Sequence, residues 1–206
     1  MNVYVETNFL LELAFVQEQH ESCDAIVDLC AAGTAHLIVP TFCIAEAFET
    51  LLRRKGRRGQ IKEQLSRELG QLSRSKPYEQ EAAVFLEFTD LLARSSQEED
   101  QRLGEVFDRV LGIAEILALS LRIMQEAARY RIAYEFAPQD SIVFASVVDH
   151  LKTAGGSESC FLNRNRLDFD IPGIKDLFDP LGCKMLFSFV KASHYIRHRV
   201  DASSDQ

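Results

Sequence analysis

The sequence predicts an α/β fold in which a mostly parallel sheet carries helices on both faces. Short apolar runs typical of buried strands alternate with longer segments of helical spacing, and a long stretch without a strand signal interrupts this alternation. The chain has 206 residues, of which 47% are hydrophobic, so it can form one proper core. We therefore expect a single domain over residues 1–206 with a helical insertion at about 55–131.

The first part of the chain predicts the order β, α, α, β, α. Residues 3–5 form a short apolar run of strand type, and apolar residues recur at helical spacing after it. A second helix is expected to end at Gly33, which suits a left-handed cap. Residues 36–40 predict the next strand, and Thr41 is a candidate N-cap for a helix that runs to about Arg54.

The middle of the chain, from Lys55 to Arg131, predicts helices and no strand. Apolar residues recur there at helical spacing. Among them, Phe85, Phe88 and Phe107 are typical of a core or of a dimer face.

The α/β alternation resumes after this insertion. A helix is expected at about 139–152, a short strand at 160–162, and a last strand and helix in the C-terminal part of the chain. Alternating β and α units favour parallel pairing, because the crossover helices then cover both faces of the sheet.

Composition and motifs exclude several classes of protein. Lys and Arg total 23 against 31 Asp and Glu, a net charge of −8, so any contact with a polyanion requires a local basic region. Five cysteines without CxxC spacing indicate buried, reduced thiols. No apolar run approaches the length of about 18 residues that a membrane span requires, so we expect a cytoplasmic protein with no membrane partner. The motifs of serine hydrolases, P-loop NTPases and dinucleotide enzymes are absent from the sequence.

Four acidic residues lie near the predicted ends of strands or starts of helices: Glu6, Glu46, Asp140 and Asp168. Each alone has an ordinary explanation; an acid in a first helical turn, such as Asp140, interacts favourably with the helix macrodipole. In a parallel sheet, however, strand ends and the starts of the following helices meet at one edge. Carboxylates crowded there repel one another unless a cation compensates, and Mg²⁺ or Mn²⁺ is the cation that oxygen ligands suit.

Four stretches in this order are similar to the motifs of the PIN-domain family of metal-dependent nucleases: VYVETNFLLEL, VPTFCIAEAFETL, APQDSIVFASVVDHL and CFLNRNRLDFD. The resemblance implies a three-layer α/β/α sandwich and hydrolysis of RNA phosphodiesters with Mg²⁺ or Mn²⁺. By position, it implies that the four acids are metal ligands and that Asn8 and Asn165 join them as catalytic residues. Many members of the family are toxins, so the implied partners are single-stranded RNA and an antitoxin-like protein inhibitor.

A basic segment follows the helix that is expected to carry Glu46. It contains nine Lys or Arg and two Glu over residues 53–76. We predict RNA contacts from its densest part and from the two arginines that flank Asn165. These candidates are Arg53, Arg54, Lys55, Arg57, Arg58, Arg164 and Arg166. The alternative for both groups is an ordinary solvated surface.

Glu6 departs from the family pattern, which generally has aspartate at this position. Its side chain is longer by one carbon–carbon bond, about 1.5 Å, and a misplacement of about 1 Å can cost about a hundredfold in rate. The sequence therefore leaves two functions open: a Mg²⁺- or Mn²⁺-dependent ribonuclease, and a catalytically weakened PIN-like module that binds RNA or a protein. With either function, the insertion is a candidate element for homodimerisation or for binding a partner.

Overall fold

A computed structural model of the chain describes residues 1–204, apart from the side chains of Ala83, Leu86, Glu87, Asp168, Ser203 and Ser204. Within these residues, five strands form one parallel sheet. In chain order the strands are β1 (Asn2–Val5), β2 (His36–Pro40), β3 (Glu115–Leu117), β4 (Ser159–Leu162) and β5 (Cys183–Leu186). Their order across the sheet is β3-β2-β1-β4-β5, which places β1 at the centre.

Helices follow each strand. The helices before β3 are α1 (Thr7–Phe15), α2 (His20–Ala31), α3 (Thr41–Leu72) and α4 (Glu79–Leu111). Those after it are α5 (Leu121–Ala133), α6 (Pro138–Thr153), α7 (Arg166–Phe169), α8 (Pro172–Phe178) and α9 (Phe189–Ser204). A short 3₁₀ turn at Asp179–Leu181 leads from α8 into β5. No helix of the described part of the chain is both long and apolar enough to cross a membrane.

The helices cover both faces of the sheet. Phe9 of α1 meets Phe189 of α9 edge-to-face, with 5.4 Å between ring centroids, and α2 also packs on α9. On the other face, Phe144 of α6 meets Phe178 of α8 at 5.4 Å, and α5 packs on α6. The connections β1–β2 and β3–β4 run in opposite directions across the sheet, so right-handed crossovers place their helices on opposite faces. The predicted three-layer α/β/α sandwich is confirmed.

The central strand shows why the sequence encodes this core. Val3, Tyr4 and Val5 are fully buried, as expected for a strand that is covered on both faces and bonded on both sides. The predicted α1, α2 and α6 are also confirmed, and Gly33 has the expected left-handed conformation with φ 74°. All five cysteines are free and buried, which agrees with their interpretation as small apolar residues.

The insertion consists mainly of a long antiparallel hairpin of α3 and α4. The prediction that α3 ends near Arg54 is wrong, because packing against α4 stabilises the helix past glycines that would weaken it in isolation. Arg58 and Glu99 join the two helices through hydrogen bonds of 2.8 and 2.9 Å. Of the aromatic residues predicted at a core or dimer face, Phe107 is buried, whereas Phe85 and Phe88 are exposed.

The prediction that the insertion contains no strand is also wrong. β3 pairs in parallel with β2, with Val39 opposite Ile116, and forms one edge of the sheet. The strand escaped detection because it has three residues and only Leu117 is buried. Thr41 is the first residue of α3 rather than its N-cap, because its hydroxyl donates instead to the Leu117 carbonyl at 2.7 Å.

The Arg58–Glu99 pair should stabilise the hairpin more than its neighbour, Lys55–Asp100. The Arg58 and Glu99 side chains are 18% and 8% exposed, whereas those of Lys55 and Asp100 are 50% and 51% exposed. Glu99→Ala leaves a largely buried guanidinium without its carboxylate, and we expect it to lower the free energy of unfolding by about 2 kcal/mol. Asp100→Ala is the matched control, with an expected loss below about 0.5 kcal/mol. Urea unfolding measures both, and equal losses would contradict this assignment.

Candidate active site

A polar cleft of about 440 Å³ opens beyond the carboxyl ends of β1 and β4. Side chains from α1, α3, α6 and the loop after β4 line it. They include five of the six predicted catalytic residues: Glu6, Asn8, Glu46, Asp140 and Asn165. The sixth, Asp168, belongs to α7, and its side chain is outside the described ones. The topology of the sheet therefore gathers residues that are more than 150 positions apart in sequence.

Glu6 lies at the joint between β1 and α1 and is 8% exposed. Its Oε1 accepts hydrogen bonds from Asn8 Nδ2 at 2.8 Å and from the Arg164 backbone N–H at 3.1 Å. Burial raises the pKa of Glu6 from 4.5 to about 7, the negative charge of Asp140 adds to this rise, and the two hydrogen bonds oppose it. With a pKa of about 7, the Glu6 carboxyl is partly protonated at neutral pH.

Glu46 enters the cleft from the second turn of α3, which begins directly after β2. Its Oε2 accepts a hydrogen bond from the Thr7 hydroxyl. Thr7 is buried at the start of α1, next in sequence to Glu6. This bond joins α1 to α3 and fixes the Glu46 carboxylate beside the joint that carries Glu6.

Asp140 and Asn165 form the opposite side of the cleft. Asp140 lies in the first turn of α6, where a negative charge interacts favourably with the helix macrodipole. Asn165 Nδ2 donates to Asp140 Oδ2 at 3.5 Å, and the Asn165 backbone N–H donates to Asn163 Oδ1 at 2.6 Å. Asn163 is 1% exposed, so its amide holds the loop after β4 from within the core.

Glu12 is a residue of the site that the sequence interpretation missed. It is 1% exposed, and its Oε2 lies 2.7 Å from Nη1 of Arg164 while its Oε1 accepts from the Gln19 backbone N–H at 2.5 Å. The ion pair holds the Arg164 guanidinium at the cleft, which Glu12 also lines. The available signal was a single acid within the apolar run FLLELAF, because a buried charge requires a partner.

The residues predicted to bind RNA lie in different parts of the structure. Arg53 and Arg164 line the cleft. Others form ion pairs elsewhere: Lys55 Nζ lies 3.0 Å from Asp100, and Arg166 Nε lies 2.8 Å from Asp170.

Arg54 and Arg58 also form contacts within the hairpin of α3 and α4. Arg54 lies over the Phe15 ring at 4.3 Å and 3.7 Å from Glu99, the residue that Arg58 binds. Arg57 is exposed on α3. The structure thus brings Arg53 and Arg164 to the cleft, and RNA binding by all seven residues stays a prediction.

The donor groups of the cleft fit a hard divalent cation. Its lining residues offer carboxylate and amide oxygens and no thiol or imidazole, a set that suits Mg²⁺ or Mn²⁺. Among the described side chains, no three His, Cys, Asp or Glu are grouped so that they could hold a metal ion. Mg²⁺ is usually bound by one or two carboxylates together with waters and substrate phosphates. Glu6 and Asp140, whose charges interact, are the pair that fits this mode.

Comparison with known proteins identifies the family of the chain. A family model described as PIN domain matches residues 3–169, a span that contains every residue of the cleft. The chain belongs to the PIN-domain family. PIN domains are generally nucleases and typically use divalent metals. A search of curated proteins and a search of solved structures each found no significant match.

The raised pKa of Glu6 predicts a pH-dependent stability of this PIN domain in the absence of metal. The folded state binds the Glu6 proton more tightly than the unfolded state, so the free energy of unfolding should fall as pH rises from about 4.5 through about 7. The loss attributable to Glu6 is at most about 3 kcal/mol. Glu6→Gln keeps the oxygen that accepts from Asn8 and Arg164 but does not ionise, so it should lose less stability between pH 5 and pH 8.

Urea unfolding in EDTA at pH 5, 6, 7 and 8 measures this difference. Glu49→Gln, which removes an exposed glutamate from α3, is the control and should keep the pH dependence of the wild type. Parallel curves for wild type and Glu6→Gln would show that the Glu6 carboxyl titrates at its ordinary pKa.

Proposed function

We propose that this protein is a Mg²⁺- or Mn²⁺-dependent ribonuclease that hydrolyses phosphodiester bonds of single-stranded RNA. The observation that carries the proposal is the meeting of Glu6, Glu46 and Asp140 with two asparagines in one cleft of a PIN domain. The family supports a nuclease, and the donor groups of the cleft fit the metal.

The chain supplies groups that bind and orient a phosphodiester. Arg53 and Arg164 place positive charge at the cleft, and Glu12 prevents Arg164 from turning away. The carboxylates alone would repel RNA, so they need a bound divalent cation, which supplies positive charge for the phosphate oxygens and lowers the pKa of water. Asn8 orients Glu6, and Asn165 orients Asp140.

The PIN-domain family supports RNA as the substrate class. The cleft of about 440 Å³ is lined by four acids and two arginines, so a bound divalent cation would have to join Arg53 and Arg164 in supplying the positive charge with which proteins follow the backbone of a single strand.

The family resemblance also supports a role as the toxin of a toxin–antitoxin pair in the cytoplasm. The partner would be a protein inhibitor, encoded with the nuclease. Expression of the wild-type chain should then arrest bacterial growth, and expression of the Asp140→Asn variant should not.

A second candidate is a PIN-like module that binds RNA or a protein without cleaving. Two observations favour it: Glu6 Oε1 is already engaged by Asn8 and by the Arg164 backbone, and the described side chains contain no group of three metal-binding residues. Calorimetric titration with Mn²⁺ distinguishes the candidates. Absence of binding at millimolar Mn²⁺ favours the module.

Cleavage of a fluorogenic single-stranded RNA in Mn²⁺ tests the proposed activity. Asp140→Asn and Glu46→Gln remove a negative charge from the cleft at constant side-chain size, and each should lower the rate by at least about a hundredfold. Glu49→Gln removes the same charge from the exposed side of α3 and should cleave as the wild type does. Cleavage that survives Asp140→Asn would reject the assignment, provided that circular dichroism shows both variants folded.

The two arginines of the cleft predict how RNA affinity depends on salt. On the Asp140→Asn background, Arg53→Ala should weaken binding and reduce the slope of log K against log salt by about 0.7, the value for one lost phosphate contact to a single strand. Arg57→Ala, one turn further along α3 and outside the cleft, is the matched control. Fluorescence anisotropy measures both slopes when the salt concentration is varied about fourfold, from about 50 to about 200 mM. An equal effect of Arg57→Ala would extend the RNA path along the hairpin.

A further inference from the structure

A second cavity, of about 530 Å³, lies along the outer edge of β5. It shares no lining residue with the cleft. Its floor and walls are largely apolar and include Phe169, Ile174, Phe178, Met185 and Tyr195. We call this cavity the β5 groove. It plays no part in the proposed ribonuclease activity, so it requires its own explanation.

The backbone of β5 forms hydrogen bonds to β4 along one edge, and its other edge points away from the sheet. The Ser159 N–H donates to the Gly182 carbonyl and the Asn163 N–H donates to the Leu186 carbonyl, each at 3.1 Å. In a parallel ladder, alternate residues of a strand bond to the same neighbour, so Gly182, Lys184 and Leu186 face β4. The N–H and C=O groups of the residues between them point away from the sheet. These residues are Cys183, Met185 and Phe187, and all three line the groove.

The groove lies in the plane of the sheet, between its two helical layers. Phe178 belongs to α8, which packs with α6 on one face. Tyr195 belongs to α9, which packs with α1 on the other face, and the Lys184 ammonium lies 4.5 Å from its ring centroid. A sixth strand would occupy this position, at the spacing of about 4.8 Å that separates strands of a sheet.

The chemistry of the groove selects an extended peptide. Outward N–H and C=O groups at every second residue match the backbone of another strand, whose own groups repeat with the same period. The period of a helix is different, and nucleic acid has no such series of donors and acceptors. Alternate side chains of the added strand would turn toward α8 and toward α9, where the partly buried lining residues Ile171, Phe187 and Tyr195 offer apolar surface.

The charges around the groove favour a peptide with acidic residues. Glu158 is bound by Arg199 at 3.0 Å, and Asp170 is bound by Arg166 at 2.8 Å. Among the described side chains, no ion pair joins Lys175 or Lys184 to a carboxylate. Asp179 is the other lining acid, so two lysines and one carboxylate of the lining are outside the ion pairs formed by the described side chains.

We propose that the β5 groove binds an extended, acidic and apolar segment of a partner protein. The segment adds a sixth strand to the sheet through hydrogen bonds to Cys183, Met185 and Phe187. Its apolar side chains pack between α8 and α9, and its acidic side chains lie near Lys175 and Lys184. The proposal does not depend on the ribonuclease activity, because the cleft and the groove have separate linings.

Synthetic peptides of alternating sequence test the proposal on the wild-type protein. The probe is an acetylated (Glu-Val)₄ peptide. Two methylated phases of the same peptide are its controls, one with methyl groups on the backbone nitrogens of the Glu residues and one with methyl groups on those of the Val residues. The phase that removes the N–H donors facing β5 should bind about tenfold or more weakly, and the phase that leaves those donors intact should bind about as well as the unmethylated peptide. A (Lys-Val)₄ peptide should bind more weakly than (Glu-Val)₄.

A protein variant provides the complementary test. Met185→Pro removes an outward N–H without removing a bond to β4, which an edge strand tolerates, and Met185→Ala is its control. The affinity of Met185→Pro for (Glu-Val)₄ should be about tenfold lower than that of Met185→Ala. In the wild-type protein, the added peptide should slow hydrogen exchange at the backbone amides of Cys183, Met185 and Phe187. Three results would overturn the proposal. The first two are no peptide binding at millimolar concentration and equal binding by both methylated phases. A wild-type dimer that Met185→Pro converts to a monomer would assign the groove to a second copy and also overturn it.

Discussion

The position of Glu6 depends on the burial of β1. This strand is bonded to a neighbour on each side and covered by helices on each face, so the residue that follows it emerges into a largely desolvated environment. Desolvation disfavours the ionised carboxyl, and two hydrogen bonds oppose it only in part. Ionisation of Glu6 therefore carries a free-energy cost, and a cation bound beside it would offset that cost. Because a carboxyl must release its proton to bind a metal, the same burial would make the affinity of the cleft for a metal depend on pH.

The cleft is assembled by hydrogen bonds between elements that are distant in sequence. Thr7 of α1 binds Glu46 of α3, the Arg164 backbone binds Glu6, and Glu12 holds the Arg164 side chain. Together these bonds join α1, and Glu6 directly before it, to α3 and to the loop after β4. α1 therefore fixes the positions of the other walls of the cleft, and its apolar side chains pack in the core. A site held in this way requires little reorganisation when a charged substrate binds.

The parallel core could be predicted from local signals, and five residues that line the cleft could be predicted from acids near strand ends and from the resemblance of four ordered motifs to the PIN-domain family. The apolar run of β1 and the helical spacing after it are visible without knowledge of the partners. β3 was missed because three residues do not establish a period, and the length of α3 was missed because its stability comes from α4. The basic run was predicted as an RNA-binding surface from charge alone. The structure shows that Arg54, Lys55 and Arg58 have partners on α4, which no pattern within the run indicates.

One short segment connects the cleft to the β5 groove. Asn165, at the start of α7, lines the cleft, and Phe169, at its end, lines the groove. Phe169 is 2% exposed and packs against Phe136 and Phe161, with ring centroids 4.8 and 6.0 Å away. Coupling between the groove and the cleft would require a segment with two alternative conformations, and Phe169 is held in one conformation by its two aromatic partners. An extended peptide in the groove would therefore hold the protein beside its partner and leave the geometry of the cleft unchanged, so the groove suits recruitment better than regulation.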